Sequence, residues 1–512
     1  MTLFSLENLY QQYIACRKNK RNTANALRFE ARQELNLLAL QETLVSRSYE
    51  PGRSVCFFIR RPKLREVFAA DFRDRVVHHV LVNHLEKIWE KIFIHDSYAC
   101  RKGKGVHAGV ARLQEFMRQA TANGTQPAWY LQLDIRNYFM SIDKQRLFEM
   151  LDAKLNPHLG KDAEARWLTN KLVFHDCTVD PHIKGDSALM DRLPRHKTLF
   201  HAQPGKGLPI GNLNSQFFAN VYLNALDQFV KHGLKCRWYV RYCDDFVLLA
   251  RSTDELQAWK VQIETFVAQQ LDLRLNPTRE RLKPVGDGVD FLGYIVRPFY
   301  LLVRRRVVGH LREALAQSQR ALVHAHENGT EYRFEAHAVD LLQARLASYL
   351  GHFRRASHQK LFHSIWQQHA WLRTYLIRSR QTLSMQRRDA PALGAKTVLA
   401  QYRHWRQQFP HDLVLIQVGA FYEQLRWPPK RRAIFSTNNP EAGLAGLRKL
   451  RTTHRGTMVG FPLEQLQRRV AGIMAAGRNV TVISQRITAG GGVMNRTPMV
   501  RWVAARSLES GA

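Results

Sequence analysis

The sequence has few cysteines and no long apolar run, and both absences exclude whole classes of protein. Its six cysteines include no Cys-x-x-C pair, which predicts free thiols in a reducing, cytoplasmic environment. No apolar stretch approaches the ~20 residues that a membrane-spanning helix requires. The first residues also lack the charged and apolar regions of a secretory signal peptide. The sequence therefore predicts a cytoplasmic protein with no membrane partner.

Acidic residues are scarce relative to basic ones. The chain holds 43 Asp and Glu against 77 Lys and Arg in 512 residues, a formal net charge of +34. A metabolic enzyme has little use for such an excess, whereas a channel for nucleic acid uses it to neutralise phosphates. Because single hydrophobic cores stop growing well below this length, at least two domains are expected.

Two of these acids, Asp244 and Asp245, stand side by side at the tip of a predicted hairpin. Apolar and aromatic residues flank them at 238–240 and 246–249, so two short strands joined by a tight turn are expected. Carboxylates held together at a turn repel each other, and a bound cation offsets that repulsion. Taken alone, such a pair is more often a solvated turn, because Asp is a common turn former.

Two upstream segments favour the cation site over the solvated turn. Residues 129–134 alternate as in a strand, end at Asp134 and run into a predicted helix. Residues 206–216 form a Gly/Pro turn that leads into a helical pattern over 217–229. The order of carboxylate strand, glycine turn with helix, and carboxylate hairpin resembles motifs A, B and C of the reverse transcriptases. Tyr-Cys-Asp-Asp at 242–245 matches the Tyr-x-Asp-Asp motif of that family.

The resemblance covers residues 30–375, and the matching motifs occur in the same order as in the family. Residues 63–75 resemble the fingers segment of bacterial reverse transcriptases, 97–105 the block after it, 290–294 the primer grip and 348–352 a thumb helix. It implies an α+β right-hand polymerase of fingers, palm and thumb that makes cDNA from a template RNA, a primer and deoxynucleotides. Residues 152–206 are longer than the motif spacing requires, and contact with template or with an accessory protein both remain open for them.

The resemblance also implies a role for each matched residue. Asp134, Asp244 and Asp245 are expected to be catalytic and to hold two Mg²⁺ ions, with Mn²⁺ as the alternative ion and the Ile135 carbonyl as a further ligand. The residues expected at the nucleotide are Lys63, Arg65, Arg73, Phe139 as a steric gate, Ile210, Gly211 and Gln216. The expected primer grip is Phe291, Leu292, Gly293 and Tyr294. A solvated basic hairpin for the cations and a core position for Phe139 are the alternatives.

Motif B indicates which group of reverse transcriptases the chain resembles. Ile210-Gly211-x-x-x-Ser215-Gln216 resembles the reverse transcriptases of diversity-generating retroelements, which make cDNA with errors at template adenines and work with a basic accessory protein. Ile210 stands where Gln usually touches the nucleotide, so a polar contact becomes apolar and lower fidelity is expected. A defence-associated or retron-like reverse transcriptase is the alternative. A non-catalytic RNA-binding or mismatch-binding protein is a second alternative, from a different class.

The C-terminal part resembles another family. Gly-x-Phe-Tyr-Glu at 419–423, Gly-Phe-Pro at 460–462 and the strand-helix-strand pattern around them resemble the N-terminal mismatch-recognition domain of MutS. The match implies a small mixed α/β domain in which Phe421 wedges beside an unpaired base and Glu423 bonds to it. Ala420 departs from the usual Asp, and the MutS clamp and ATPase domains are absent, so a docking or duplex-binding module is the alternative.

These resemblances predict four segments along the chain. They are fingers and palm (1–307), a helical thumb (308–378), a linker (379–394) and the MutS-like domain (395–512).

Overall fold

The computed structural model of the chain describes residues 2–18, 23–60, 63–156, 158–186, 188–379, 384–390, 394–395, 397–426, 448–453, 456–487 and 493–505. The chain divides into two compact units, Met1–Tyr300 and Leu301–Ala512.

The first unit mixes helices and strands. Its helices are α1 (Leu6–Arg17), α2 (Ala24–Glu30), α3 (Gln33–Val45), α4 (Phe72–Trp89), α5 (Val106–Ala120), α6 (Tyr138–Ser141), α7 (Lys144–Asp152), α8 (Gly160–Phe174), α9 (Ala188–Asp191), α10 (Leu213–Gln228) and α11 (Thr253–Leu271). Its strands are β1 (Val55–Ile59), β2 (Arg65–Ala69), β3 (Trp129–Asp134), β4 (His182–Lys184), β5 (Trp238–Tyr242), β6 (Asp245–Ala250), β7 (Arg281–Pro284), β8 (Val289–Phe291) and β9 (Tyr294–Val296).

A four-stranded sheet of order β5-β6-β3-β7 lies at the centre of this unit. Its strands are antiparallel, and the pairing of β3 with β6 places Leu131 opposite Leu248 and Asp134 opposite Asp245. The apolar side chains of β3 and β6 pack in one core with residues of α4, α10 and α11. Because this register is fixed by a buried core, the end of β3 and the turn before β6 must lie at the same edge of the sheet.

The hairpin of β1 and β2 forms a second sheet in this unit, and β4 extends it in parallel with β1. Strand β4 belongs to residues 152–206, the region that is longer than the motif spacing requires. The buried carboxylate of Glu66 on β2 accepts hydrogen bonds from the Thr198 hydroxyl at 2.5 Å and the Leu199 backbone N–H at 2.8 Å. The second half of that region is therefore built into the predicted fingers.

The structure confirms the helices expected beside the motifs. Helix α7 follows Asp143, whose carboxylate accepts a hydrogen bond from the Arg146 N–H at 2.9 Å and so caps the helix. Helix α10 includes the pattern expected from 217 onwards and begins four residues earlier, at Leu213.

The second unit has a larger sheet. Its helices are α12 (Arg305–Leu322), α13 (Ala336–Phe353), α14 (Gln359–Gln368), α15 (Leu372–Tyr375), α16 (Val398–Gln408) and α17 (Leu466–Ala475). Its strands are β10 (Leu301–Val303), β11 (Val323–His326), β12 (Gly329–Arg333), β13 (Leu376–Arg378), β14 (Met385–Arg387), β15 (Leu413–Val418), β16 (Phe421–Arg426), β17 (Arg448–Thr453), β18 (Gly456–Pro462), β19 (Val480–Ile487) and β20 (Val493–Ala504).

The strands and helices of this unit do not follow the predicted boundaries between thumb, linker and C-terminal domain. One eight-stranded sheet of order β11-β12-β20-β19-β15-β16-β18-β17 includes a hairpin, β11 and β12, that lies in the predicted thumb. Strand β14 lies in the predicted linker, pairs with β13 and buries Met385 in the core. That core contains α12, α13, α16 and β15 together. The helices of the predicted thumb and the C-terminal strands therefore share one hydrophobic core.

No helix in the described part of the chain is both long and apolar enough to cross a membrane.

Candidate active site

Three aspartates, from the end of β3, the start of β6 and the turn before β6, meet at one edge of the central sheet. Asp134 ends β3, Asp245 begins β6, and the two are opposite each other in the pairing register. The backbone N–H of Ile135 donates a hydrogen bond to the Asp244 carbonyl at 3.2 Å, which ties the end of β3 to the turn. Cys243 in this turn has a φ of 52°, the left-handed conformation that tightens it. The fold thus brings together the carboxylates predicted from motifs A and C.

A buried ion pair holds the turn from inside. Arg241, which is 0% exposed, donates from Nη1 to the Cys243 carbonyl at 3.0 Å. Its Nε and Nη2 donate to the two carboxylate oxygens of Asp227 at 2.7 and 2.6 Å. Two parallel hydrogen bonds to a carboxylate fix a guanidinium in the plane of its partner. Arg241 therefore sets the position of the backbone immediately before Asp244.

Two amide side chains that the sequence analysis did not single out orient the aspartates. Asn276 donates from Nδ2 to Asp134 Oδ1 at 2.9 Å, and its backbone N–H donates to the Asp134 carbonyl at 2.8 Å. Gln132 donates from Nε2 to Asp245 Oδ1 at 2.9 Å and to the Asp290 carbonyl at 3.1 Å. Asp134 and Asp245 are therefore positioned by different neighbours.

The carboxyl groups of the turn resist ionisation. Burial, followed by the negative charge of Asp134, raises the pKa of Asp244 from 3.8 to about 6. Burial and the charges of Asp244 and Asp134 raise the pKa of Asp245 to about 7, although the hydrogen bond from Gln132 opposes the shift. Crowded carboxylates of this kind become fully ionised when a cation binds between them.

Basic side chains face these acids. Arg279 Nη1 lies 4.0 Å from Asp134 Oδ2, and the positive charges of Arg65 and Arg279 act on Asp244. Burial and the neighbouring charges of Arg279 and Arg65 lower the pKa of Lys63, which also interacts with Asp134. Of the cations expected at the nucleotide, the structure brings Lys63 and Arg65 to the acids.

Arg73 lies elsewhere. Its Nε donates to Asp74 Oδ1 at 3.1 Å, its Nη2 donates to the Glu50 carbonyl at 2.7 Å, and its guanidinium lies 5.3 Å from the Tyr49 ring centroid. These contacts hold Arg73 among the N-terminal helices. The structure does not bring it to the three aspartates.

The motif B residues lie against strand β2. The Ile210 carbonyl accepts a hydrogen bond from the Phe68 N–H at 2.8 Å. Gly211 has a φ of 125°, and a side chain there would overlap the Phe68 carbonyl, so the position requires glycine. Gln216 is exposed and accepts a hydrogen bond from Cys100 Sγ at 3.3 Å.

Phe139 lies beside the same segment, and its carbonyl accepts from the Leu208 N–H at 2.8 Å. Its ring is half-buried and packs edge-on against Tyr138. Phe139 is therefore neither a fully buried core residue nor a free surface side chain.

The predicted primer grip is a hairpin of β8 and β9. Phe291 and Tyr294 are buried and pair across it, while Leu292 and Gly293 form its turn with φ values of 48° and 100°. Gln132 bonds to both the base of this hairpin and Asp245, so it connects the hairpin to the acidic cluster.

The acidic cluster suits a metal ion that a substrate helps to hold. In the parts of the chain that the structure describes, no three His, Cys, Asp or Glu side chains converge closely enough to hold an ion by themselves. Mg²⁺ commonly takes one or two protein carboxylates and completes its oxygen ligands with substrate phosphates and water. Asp134 and Asp244, with basic residues opposite for phosphates, fit that arrangement.

The two residues expected to contact a mismatched duplex, Phe421 and Glu423, differ in their exposure. Phe421 begins β16 after a turn at Gly419 and is 37% exposed. Glu423, two residues along the strand, is only 6% exposed. Phe421 is accessible to a nucleic acid, whereas the Glu423 carboxylate is largely covered by protein.

Comparison with known proteins identifies the first unit. Residues 61–296 match the family model described as "Reverse transcriptase (RNA-dependent DNA polymerase)". The chain is 25% identical over 329 residues to protein YkfC of Escherichia coli strain K12, covering 57% of this chain and 80% of YkfC. It is 21% identical over 297 residues to the group II intron-encoded protein LtrA of Lactococcus lactis subsp. cremoris, covering 46% of this chain and 45% of LtrA.

A solved structure is also similar, that of apo telomerase from Candida tropicalis truncated from its C-terminal domain. It has 10% sequence identity and a TM-score of 0.35, and the match covers 53% of this chain and 60% of the telomerase chain.

The match to the family model contains the whole acidic site. Asp134, Asp244 and Asp245 all lie inside residues 61–296, as do the residues that orient them and the basic residues that face them. Those residues are a reverse transcriptase domain, and the chain that carries it is an RNA-directed DNA polymerase.

Proposed function

We propose that this chain copies a template RNA into cDNA by two-metal nucleotidyl transfer at Asp134, Asp244 and Asp245. The observation that carries the proposal is the convergence of these acids, with raised pKa values for Asp244 and Asp245, on a side of the sheet faced by Lys63 and Arg65. Extension of a primer on an RNA template with deoxynucleotides and Mg²⁺ tests it, and the absence of any product would contradict it.

The proposed division of roles follows from the contacts. Asp134, Asp244 and the Ile135 carbonyl would hold Mg²⁺, which when bound activates the primer hydroxyl and stabilises the leaving pyrophosphate. Asp245, held by Gln132, adds negative charge that strengthens the site. Lys63 and Arg65 would neutralise the triphosphate, since both already face the acids.

The remaining matched residues would select and position the substrates. Phe139 would exclude a ribose 2′-hydroxyl, and Gly211 and Gln216 would line the nucleotide site. The turn at Leu292 and Gly293, closed by Phe291 and Tyr294, would hold the primer strand. Arg73 belongs to this set by sequence alone, because its observed partners lie away from the acids.

The raised carboxyl pKa values predict that Mg²⁺ stabilises the protein more at high pH than at low pH. Asp244 and Asp245 ordinarily ionise near 3.8 but do so near 6 and 7 in the folded protein. Their contribution to stability is therefore complete below pH ~4 and lost as the pH rises through 6 and 7. Mg²⁺ binds the ionised form, so it should raise the melting temperature by several degrees at pH ~7.5 and by much less at pH ~5.5.

Melting curves with and without Mg²⁺ at both pH values measure this difference. Asp245→Asn removes one of the titrating groups and should flatten the pH dependence of the metal-free protein. An equal effect of Mg²⁺ at the two pH values would contradict the assignment of these groups as the metal site.

We further propose that the cDNA carries errors at template adenines, as in a diversity-generating retroelement. Ile210 supports this because it replaces a hydrogen-bonding Gln, and fewer polar contacts to the incoming nucleotide weaken discrimination. Its backbone is fixed by the bond to Phe68 N–H, so a substitution changes the side chain alone.

Ile210→Gln is expected to lower misincorporation at adenines by about tenfold, the effect of one restored polar contact. Sequencing of the cDNA measures the error rate, and Ile210→Leu is the matched control because it keeps the apolar contact. An unchanged adenine error rate in Ile210→Gln would contradict the proposal. Accurate cDNA from the unaltered protein would favour a defence-associated or retron-like enzyme.

We also propose that residues 395–505 form a MutS-like module that contacts the cDNA–template duplex through Phe421. The support is an exposed aromatic ring at a strand start, whereas Glu423 is buried. An apolar ring inserts between base pairs most easily where a mismatch has weakened stacking.

Phe421→Ala is expected to weaken binding to a mismatched duplex by about fivefold or more, while binding to a perfect duplex changes little. Fluorescence anisotropy with both duplexes measures the difference. Met499→Ala, another exposed apolar residue of the same unit, is the control. If Phe421→Ala left binding to both duplexes unaffected, the proposed contact would be wrong.

The partners that complete this proposal are the template RNA, a primer, deoxynucleotides and a basic accessory protein, in the cytoplasm. The net charge of +34 supports the nucleic-acid partners.

A further inference from the structure

Two cysteine thiols meet directly beside the catalytic turn. The segment that contains Cys100 runs parallel to β5, with Ser97 bridged to Arg241. The Arg241 N–H donates to the Asp96 carbonyl at 3.0 Å, and the Tyr98 N–H donates to the Arg241 carbonyl at 2.9 Å. Two to three residues further along these parallel segments, the thiols of Cys100 and Cys243 are neighbours, and each shifts the pKa of the other.

One network of hydrogen bonds fixes the backbone next to both thiols. Asn220 donates from Nδ2 to the Ala99 carbonyl at 2.7 Å, and its Oδ1 accepts from Arg241 Nη1 at 3.3 Å. The same Nη1 donates to the Cys243 carbonyl at 3.0 Å. Cys100 and Cys243 also share a left-handed backbone conformation, with φ values of 51° and 52°. The folded backbone therefore holds the two cysteines next to each other.

The pair differs from the other four cysteines in its access to oxidants. Cys100 is exposed and Cys243 is partly exposed, whereas the other four are buried, namely Cys16, Cys56, Cys177 and Cys236. Burial raises the pKa of the Cys56, Cys177 and Cys236 thiols to about 12. The neighbouring Cys243 thiol lowers the pKa of Cys100. Because the thiolate is the nucleophile, Cys100 is the thiol that reacts first.

We propose that Cys100 and Cys243 form a reversible disulfide on exposure to a peroxide and that this disulfide stops DNA synthesis, an inference that rests on the proposed function. The Cys100 sulfur attacks one peroxide oxygen, the O–O bond breaks, and a sulfenic acid and water form. The Cys243 sulfur then attacks the sulfenic sulfur and displaces its oxygen as a second water. In total two thiols lose two protons and two electrons to one peroxide.

The bond would disturb the site in two ways. A disulfide holds its sulfur atoms ~2.05 Å apart, closer than two thiols that are not bonded to each other, so forming it draws the turn before Asp244 toward Cys100. It also removes the hydrogen bond from Cys100 Sγ to Gln216 Oε1. A displacement of a reacting group by about 1 Å can cost about 100-fold in rate. Oxidation is therefore expected to slow nucleotide addition rather than to unfold the protein.

The experiment compares reduced and peroxide-treated protein. Hydrogen peroxide is expected to give a cross-linked peptide joining Cys100 and Cys243, detected by mass spectrometry without reductant. Primer extension on an RNA template is expected to fall at least about tenfold and to recover on addition of dithiothreitol. Cys100→Ser should keep its own reduced activity after the same treatment, whereas Cys236→Ser should be inactivated like the unaltered protein.

Two kinds of outcome would overturn the inference. A peroxide-treated protein without the cross-linked peptide, or with irreversible oxidation of Cys100 alone, would show that the pair does not form a disulfide. Equal peroxide sensitivity of Cys100→Ser and the unaltered protein would show that another group is responsible. Failure of the reduced protein to extend any primer would overturn the proposed function instead, and peptide mapping would still decide whether the disulfide forms.

Discussion

Asp244→Asn is expected to reduce the rate of primer extension by about 1000-fold or more while the protein remains folded. The substitution removes a negative charge that the bound metal ions need, a loss of several kcal/mol of transition-state stabilisation. It keeps the size of the side chain. Because burial and the charge of Asp134 already disfavour the ionised form of Asp244, the neutral amide should not lower the melting temperature of the metal-free protein.

Asp254→Asn is the matched control for this prediction. Asp254 is an exposed aspartate in the first turn of α11, so its substitution should leave primer extension within about twofold of the unaltered rate. Single-nucleotide addition measured by gel electrophoresis, with melting curves on the same samples, separates activity from folding. Comparable rates for Asp244→Asn and the unaltered protein would remove Asp244 from the active site.

Arg241→Met is expected to lower the free energy of unfolding by about 3–5 kcal/mol. The substitution leaves the Asp227 carboxylate buried without its ion-pair partner, which is the costly way to break a buried pair. It also removes the donor to the Cys243 carbonyl, so the turn that carries Asp244 loses its internal support. Denaturant unfolding measures the stability, and primer extension measures the position of the turn.

A double variant separates these two effects. Arg241→Met with Asp227→Asn contains no unpaired buried charge, and the amide still offers an acceptor to the Tyr239 hydroxyl, which donates to Asp227 at 2.8 Å. Most of the lost stability should return, whereas primer extension should stay slow because the Cys243 carbonyl still lacks its donor. Full recovery of both stability and activity would show that Arg241 acts only through Asp227.

The acidic site could be predicted from the sequence because each of its parts is local. A strand that ends in Asp134 and a hairpin with Asp244 and Asp245 at its tip are visible as short alternating runs. The order of these runs along the chain then matches one family. The structure confirms the strands and brings the three acids to one edge of the central sheet.

The groups that orient these acids could not be predicted, because they come from distant parts of the chain. Asn276 contacts Asp134 across 142 residues, and Gln132 contacts Asp245 across 113. Asn and Gln are common in strands and turns without such a role, so neither stands out in the sequence. The place of Arg73 could not be predicted either, since it depends on the contact with the Glu50 carbonyl as well as on its neighbour Asp74.

The hairpin of β11 and β12 has a local signal that the sequence analysis did not use. Asn328-Gly329 between short runs of strand-forming residues is a strong indication of a tight hairpin turn. Gly329 has a φ of 147°, and a side chain there would overlap the Val503 carbonyl on the neighbouring strand. The pairing of β12 with β20 across the sheet could not be predicted, because it joins segments far apart in the sequence.

Primer extension by the unaltered protein on an RNA template, followed by sequencing of the cDNA, decides whether the three aspartates form a mutagenic polymerase site. With Mg²⁺ and deoxynucleotides we expect full-length cDNA that disappears when the metal is chelated, with errors concentrated at template adenines. The absence of metal-dependent cDNA, on a natural template with its accessory protein present, would contradict the assignment of Asp134, Asp244 and Asp245 as a polymerase site.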